Sequence, residues 1–257
     1  MKNKLRTAME EGKCVFGTFA GTPDASIIEL LGYAGFDYVI LDMEHGPLDT
    51  VITENLMRAA ELAGAVPVVR VTQNNPSLIL RALDSGAMGV VIPQVNDYQA
   101  AVNAGKSAKY APQGFRGMAL GTRATRYGIM GRDEYLPYAN QEPLVIIQCE
   151  TKESLDNLAE MVKAPLVDMI FIGPTDLSQS MGFPGLIDQP EVQAAIHQIV
   201  EITKAAGLYV GMFVRSVDEA AYWASKGIQF LALGGDKGFL FKACREAVGA
   251  LSKINQK

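Results

Sequence analysis

The sequence predicts an α/β fold in which eight βα units close into a barrel, and three observations carry that expectation. About eight short runs rich in Val, Ile and Leu recur, most of them following a Gly-containing helix end and ending in a polar or Gly/Pro cluster. Between the runs lie segments with helical apolar spacing. The chain length of 257 residues matches what such a barrel uses as one domain. Continuous apolar runs, as opposed to alternating ones, belong to parallel strands buried on both faces. Right-handed crossovers between such units close most simply into a barrel, with a doubly wound open sheet as the alternative.

Taken in order, the runs fall at residues 15–19, 34–42, 63–70, 85–93, 144–150, 166–174, 206–213 and 226–234. Helical spacing covers 25–31, 50–62, 76–83, 97–108, 155–162, 191–205, 218–225 and 239–254. Residues 110–143 form an anomalously long connection holding Gly114, Arg116, Gly117, Arg123 and Arg126, and loops of that length are usually functional or disordered. No linker or composition shift divides the chain, so 1–257 reads as a single domain.

Charge and composition exclude several classes of function. A net charge of -5 with 23 Lys+Arg spread along the chain leaves no basic footprint for nucleic acid or an anionic membrane. The first residues lack the apolar core of a signal peptide, and no run approaches the length of a membrane span, so a cytoplasmic protein is expected. Three widely spaced cysteines, Cys14, Cys149 and Cys244, read as reduced thiols.

In an α/β barrel the chemistry lies at the carboxyl ends of the strands. The second run ends in Asp42-Met43-Glu44-His45-Gly46-Pro47, the third in Arg70, the fourth in Pro93-Gln94, the fifth in Gln148-Cys149-Glu150 and the sixth in Gly173-Pro174-Thr175-Asp176. Period-two alternation puts Gln148 and Glu150 on one face and turns Cys149 toward packing. Glu150 and Asp176 could cap the helices that follow them, or could together hold a hard cation, which favours one or two carboxylates plus waters. His45 stands beside Asp42, and a carboxylate within reach would suit it as a general base. His197, in mid-helix, reads as structural. Arg70 must find an anion: an ion pair with Glu44 or Asp42, or a substrate oxygen facing its planar fork. The turn Gly234-Gly235-Asp236 offers backbone N–H groups but lacks a nucleotide-binding pattern.

Gly32-Tyr33-Ala34-Gly35-Phe36-Asp37 leading into Asp42-Met43-Glu44-His45-Gly46-Pro47 resembles the HpcH/HpaI aldolase family of metal-dependent pyruvate aldolases. The resemblance continues through Pro67-Val68-Val69-Arg70-Val71, Gly86-Ala87-Met88-Gly89-Val90, Gly114-Phe115-Arg116-Gly117, Gln148-Cys149-Glu150-Thr151 and Phe171-Ile172-Gly173-Pro174-Thr175-Asp176-Leu177-Ser178. It implies a phosphoenolpyruvate/pyruvate-type (β/α)8 barrel. In such a barrel Glu150 and Asp176 ligate a divalent ion (Mg²⁺, Mn²⁺ or Co²⁺), Arg70 stabilises a pyruvate enolate, and His45, oriented by Asp42, acts as base. Gln148 matches the residue near the bound substrate, and backbone N–H groups of Thr175 and Asp176 would hold the pyruvate carboxylate. Cys149 and Thr175 depart from the family's usual residues. The implied reaction is reversible cleavage of a 4-hydroxy-2-oxo acid to pyruvate and an aldehyde.

The alternatives are an oxaloacetate decarboxylase or macrophomate-synthase-like enzyme using the same enolate, a CoA-ester lyase of the citrate-lyase β type, and a catalytically silent binding protein. The strand ends carry no lysine for an imine mechanism. The terminal helix has an apolar face, Phe239, Leu240, Phe241, Ala243, Val248 and Leu251, that must be buried against something. In its own barrel it would cover the first and last strands. The resemblance implies that it is exchanged with a neighbour, in a homo-oligomer, a hexamer built as a trimer of dimers. Residues 110–143 would then lie near the active site and close to a subunit boundary.

Overall fold

A computed structural model describes residues 2–254. Eight parallel strands, β1 (Val15–Ala20), β2 (Tyr38–Asp42), β3 (Val66–Arg70), β4 (Gly89–Ile92), β5 (Leu144–Cys149), β6 (Met169–Ile172), β7 (Tyr209–Val214) and β8 (Phe230–Gly235), pair in sequence order. β8 closes on β1 with a register shift between Gly17 and Phe19. The barrel expected from the alternation is therefore the one observed, and the open sheet is not.

Each strand divides its side chains between two cores, as a closed parallel sheet requires. Tyr38, Ile40, Val68, Ile146, Phe171 and Phe230 fill the interior, while Val39, Leu41, Val69, Ile147, Cys149 and Ile172 pack outward against the helices. Gly17 makes room for this interior, because a β-carbon there would stand 2.3 Å from the Tyr38 ring. A helix absent from the sequence-based assignment, α1 (Lys4–Glu10), is capped by the Asn3 side chain and sends Leu5 and Met9 into the bottom of the interior core.

The predicted helices appear as α2 (Ala25–Tyr33), α3 (Thr50–Leu62), α4 (Pro76–Asp84), α5 (Tyr98–Ala108), α7 (Lys152–Met161), α9 (Pro190–Ala205), α10 (Val217–Ser225) and α11 (Asp236–Ser252). Residues 110–143 are more structured than a loop. They carry a 3-10 turn at Arg123–Thr125, the helix α6 (Arg132–Gln141) and a small core of Tyr110, Met130, Tyr135 and Ala139. Lys109 Nζ donates to the Pro143 carbonyl at 3.1 Å, and Asn140 bonds the Tyr110 main chain in both directions, so the two ends of the excursion are tied together.

The excursion joins α5 to β5, which places it at the amino ends of the strands. Within one chain it therefore lies at the end of the barrel opposite to the strand carboxyl ends, and the expectation that it stands near the active site fails for its own subunit. It walls a cavity of about 550 Å³ together with Val66, Pro67, Met88 and Pro143.

Helix α11 touches the first and last strands but does not bury its apolar face on them, the place it would take within its own barrel. Of its 17 residues only Asp236 is buried. Phe239 is partly buried and stacks on Phe36, with ring centroids 6.0 Å apart. Beyond it Leu240, Phe241, Val248 and Leu251 are exposed, Phe241 at 65%. On the barrel wall the outward-facing Phe16 of β1 is left 47% exposed. No helix of the described residues is long and apolar enough to cross a membrane.

Candidate active site

The strand register brings the first pair of site residues together. Asp42 and Arg70 are direct partners at the ends of β2 and β3. Arg70 Nε donates to Asp42 Oδ1 at 2.8 Å and Nη2 to Oδ2 at 2.7 Å, while Nη1 stands 3.2 Å from Glu44. The guanidinium lies over the Phe19 ring, 4.8 Å from its centroid. Burial opposes both charges of this pair, but the Arg70 guanidinium still holds Asp42 below the usual carboxylate range, and Arg70 itself is raised. The ion-pair alternative for Arg70 is thus realised with both acids. The guanidinium has five N–H donors, and these contacts leave some of them for a further anion.

Asp42 does not hold the His45 ring. Its Oδ1 accepts the main-chain N–H groups of Glu44 and His45 at 3.1 and 3.3 Å, shaping the turn that presents an exposed imidazole. Asp42 thus acts on the backbone that carries His45, and the side-chain pairing expected between them is not formed. The physical reason is competition: the neighbouring strand supplies a bidentate cation, which takes the carboxylate's lone pairs that a histidine would need.

Glu150 follows β5 and is 2% exposed. Its Oε1 accepts the Gln94 main-chain N–H at 2.9 Å and its Oε2 the Gln148 side-chain amide at 2.6 Å. Gln94 reaches it from a left-handed conformation, φ 56°. Gly173 packs closely opposite, where a β-carbon would lie 3.0 Å from Glu150 Oε2 and 3.1 Å from its β-carbon. Burial raises the Glu150 carboxyl, the Gln94 bond opposes this, and the Glu44 and Asp176 carboxylates add to the rise, to about 7. Burial likewise raises Glu44. Asp176 stands in the first turn of α8 (Pro174–Ser180), which also carries the exposed Thr175; among the described residues no hydrogen bond engages the Asp176 carboxylate. Gln148 Oε1 is buried without a partner.

The rim thus gathers Asp42, Glu44 and Glu150 around one arginine, with Asp176 acting on Glu44 and Glu150, an excess of acids that a cation would relieve. Glu150 and Asp176, from adjacent strands, can offer carboxylate oxygens to a hard divalent ion, which needs no third protein ligand if water and substrate supply the rest. Glu44 was expected only as a possible ion-pair partner of Arg70, not as a neighbour of Glu150, and Gln94 was not expected as a backbone donor. The Gln94 contact depends on a backbone conformation that no side-chain pattern signals. The cavity behind residues 110–143 lies at the other end of the barrel and lacks a carboxylate cluster.

A family model described as HpcH/HpaI aldolase/citrate lyase matches residues 16–243. The chain is 37% identical over 235 residues to a 2-dehydro-3,6-dideoxy-6-sulfogluconate aldolase of Pseudomonas putida, covering 91% of each. It is 36% identical over 260 residues to a 4-hydroxy-2-oxo-heptane-1,7-dioate aldolase of Salmonella typhimurium, covering 100% of this chain and 97% of that one. Among solved structures, an HpcH/HpaI aldolase/citrate lyase family protein from Burkholderia cenocepacia superposes with a TM-score of 0.92 at 31% identity, over 98% of this chain and 100% of that one.

Proposed function

This chain belongs to the HpcH/HpaI aldolase/citrate lyase family and is an aldolase, and we propose the division of labour by which its rim works. The reaction is reversible cleavage of a 4-hydroxy-2-oxo acid to pyruvate and an aldehyde. The observation that carries the assignment of residues is the convergence of Glu150, Asp176 and Glu44, where burial first and the neighbouring carboxylates next lift Glu150 to about 7, beside an arginine that its fork to Asp42 holds in place.

Glu150 and Asp176 hold a divalent ion of the Mg²⁺, Mn²⁺ or Co²⁺ kind. Such an ion, when bound, supplies a Lewis acid that lowers the cost of an enolate. Arg70 presents its remaining N–H donors to the oxygen on which negative charge develops, already fixed in orientation by Asp42. His45, on its exposed turn, takes the hydroxyl proton in cleavage or a methyl proton of pyruvate in condensation. Gln148 positions Glu150 through its amide N–H, and its buried Oε1 is left without a partner. The first-turn N–H groups of Thr175 and Asp176 suit a substrate carboxylate.

The exposed apolar face of α11 and the uncovered Phe16 support exchange of this helix with a second copy, in a homo-oligomer, most simply a hexamer built as a trimer of dimers. Residues 110–143 then approach a neighbour's rim. The three free cysteines suit a reducing, cytoplasmic setting.

Release of pyruvate from a 4-hydroxy-2-oxo acid tests the reading. Wild type should release it with a divalent ion and stop on chelation, and Glu150→Gln or Asp176→Asn should be inactive while folded. Full activity in extensively demetallated protein would remove the two carboxylates from the chemistry.

A further inference from the structure

Four non-glycine residues among those described have a left-handed backbone: Gln94, Arg126, Tyr127 and Leu166. Only Gln94, which follows β4, lies at the carboxyl ends of the strands. Its φ of 56° is a conformation that costs an L-residue free energy, and that Asn or Asp can ease with a local side-chain hydrogen bond. The Gln94 side chain gives no such relief. It is exposed, and among the described residues it makes no hydrogen bond. What the conformation achieves lies on the main chain, where it aims the Gln94 N–H at Glu150 Oε1, 2.9 Å away.

The loop that holds this conformation is fastened to the chain that follows Glu150. The Thr151 hydroxyl donates to Asn96 Oδ1 at 2.7 Å, and the Asn157 side-chain amide donates to the Asn96 carbonyl at 2.9 Å. Thr151 is itself fixed as the cap of α7: its hydroxyl receives the Ser154 N–H at 2.9 Å, and its own N–H donates to Ser154 Oγ at 3.0 Å. Between Gln94 and Asn96, Val95 is fully buried in the outer core. The loop after β4 therefore grips the segment after β5 at two points, the Glu150 carboxylate and the helix cap next to it. From β5 itself Gln148 holds the other carboxylate oxygen at 2.6 Å. One donor alone would let the carboxylate swing about that contact. Two donors from neighbouring strands fix its plane, and each oxygen keeps a lone pair for a further partner.

From this arrangement we propose that Gln94 is a positioning residue for the divalent ion, acting through Glu150: its left-handed main chain, pinned by Asn96, aims the carboxylate. The proposal rests on the assignment of Glu150 and Asp176 as ligands of that ion. Groups that orient a metal ligand from behind commonly govern metal affinity nearly as strongly as the ligand's own identity. Here the orienting group is a main-chain N–H, so substitutions at Gln94 sort by their tolerance of positive φ and not by side-chain chemistry. Glycine takes this conformation without strain, whereas a β-branched residue resists it.

The test is Mn²⁺ binding to metal-free protein, followed through the electron paramagnetic resonance signal of the free ion. Gln94→Val should weaken binding by about ten- to a hundredfold, the scale expected when a contact behind a metal ligand is lost. Gln94→Gly should stay within about twofold of wild type, since it keeps both the N–H and the conformation. Asn96→Ala, which unfastens the loop without touching Gln94, should weaken binding by about threefold or more. Thermal melts in chelator separate the two roles, because a purely structural loop would lower the melting temperature and leave Mn²⁺ affinity unchanged. Folded Gln94→Val that binds Mn²⁺ as tightly as wild type would overturn the proposal, and so would Gln94→Gly that binds it as weakly as Gln94→Val. Should Gln94→Val not fold, unchanged binding by Asn96→Ala would overturn it instead. If wild type binds no Mn²⁺, or Glu150→Gln binds it as well as wild type, the ligand assignment itself falls, and this proposal with it.

Discussion

Glu150 carries a carboxyl that the barrel has taken out of water and raised to about 7, through burial first and the Glu44 and Asp176 carboxylates next. Because the folded state binds this proton more tightly than the unfolded chain, Glu150 favours folding most below its ordinary value of 4.5. That contribution is lost as pH rises from there to about 7. In chelator, wild type should therefore lose stability across this window relative to Glu150→Gln, as read by thermal melts. A divalent ion takes the proton's place and should reverse the trend, its affinity falling as pH drops below about 7. Arg70 supplies the second prediction at this scale. Arg70→Lys keeps a charge but cannot bond Asp42 in a fork and also serve a substrate oxygen, so kcat should fall by about 10²-fold, with pyruvate affinity less affected. A variant close to wild type in both would make the arginine purely structural. Which acid Arg70 would choose was open in the sequence, because the choice depends on the register between β2 and β3. The nearness of Asp42 and His45 along the chain suggested a side-chain pair, but at three residues' separation a carboxylate reaches the main-chain N–H groups of the turn more readily than the ring.

Among the elements, the strands and their helices were legible because buried parallel strands are continuous apolar runs and their helices are periodic. Three helices were not. α1 buries only Leu5 and Met9, and α6 only Tyr135 and Ala139 around an internal Pro137, too few apolar positions to establish a period. α8 is a single short stretch whose one signal is Pro174 at its start. The terminal helix was legible as a helix, but not in direction, since an apolar stripe does not say which barrel it will cover. Its exposed face carries the third prediction. Phe241→Glu together with Leu251→Glu should leave the barrel folded and reduce the mass found by light scattering at micromolar concentration to that of smaller species. If wild type is itself a stable, fully active monomer, neither exchange of α11 nor a neighbour's contribution to the rim is needed.

For the whole molecule, one closed sheet separates two ends with different properties. The amino ends of the strands carry the excursion, its own small core and a largely apolar cavity. The carboxyl ends gather four carboxylates, a paired arginine and an exposed histidine, a poor arrangement for stability that makes sense if a cation and an anionic substrate complete it. Formation of a pyruvate enolate at this rim with the help of a divalent ion can be measured without knowing the aldehyde. Pyruvate incubated with the protein in deuterated water should lose its methyl proton signal by NMR when Mg²⁺, Mn²⁺ or Co²⁺ is present. The loss should stop on chelation and slow by roughly 10² to 10⁴ in His45→Ala. Folded wild type that exchanges no methyl protons with any of these ions would contradict the account.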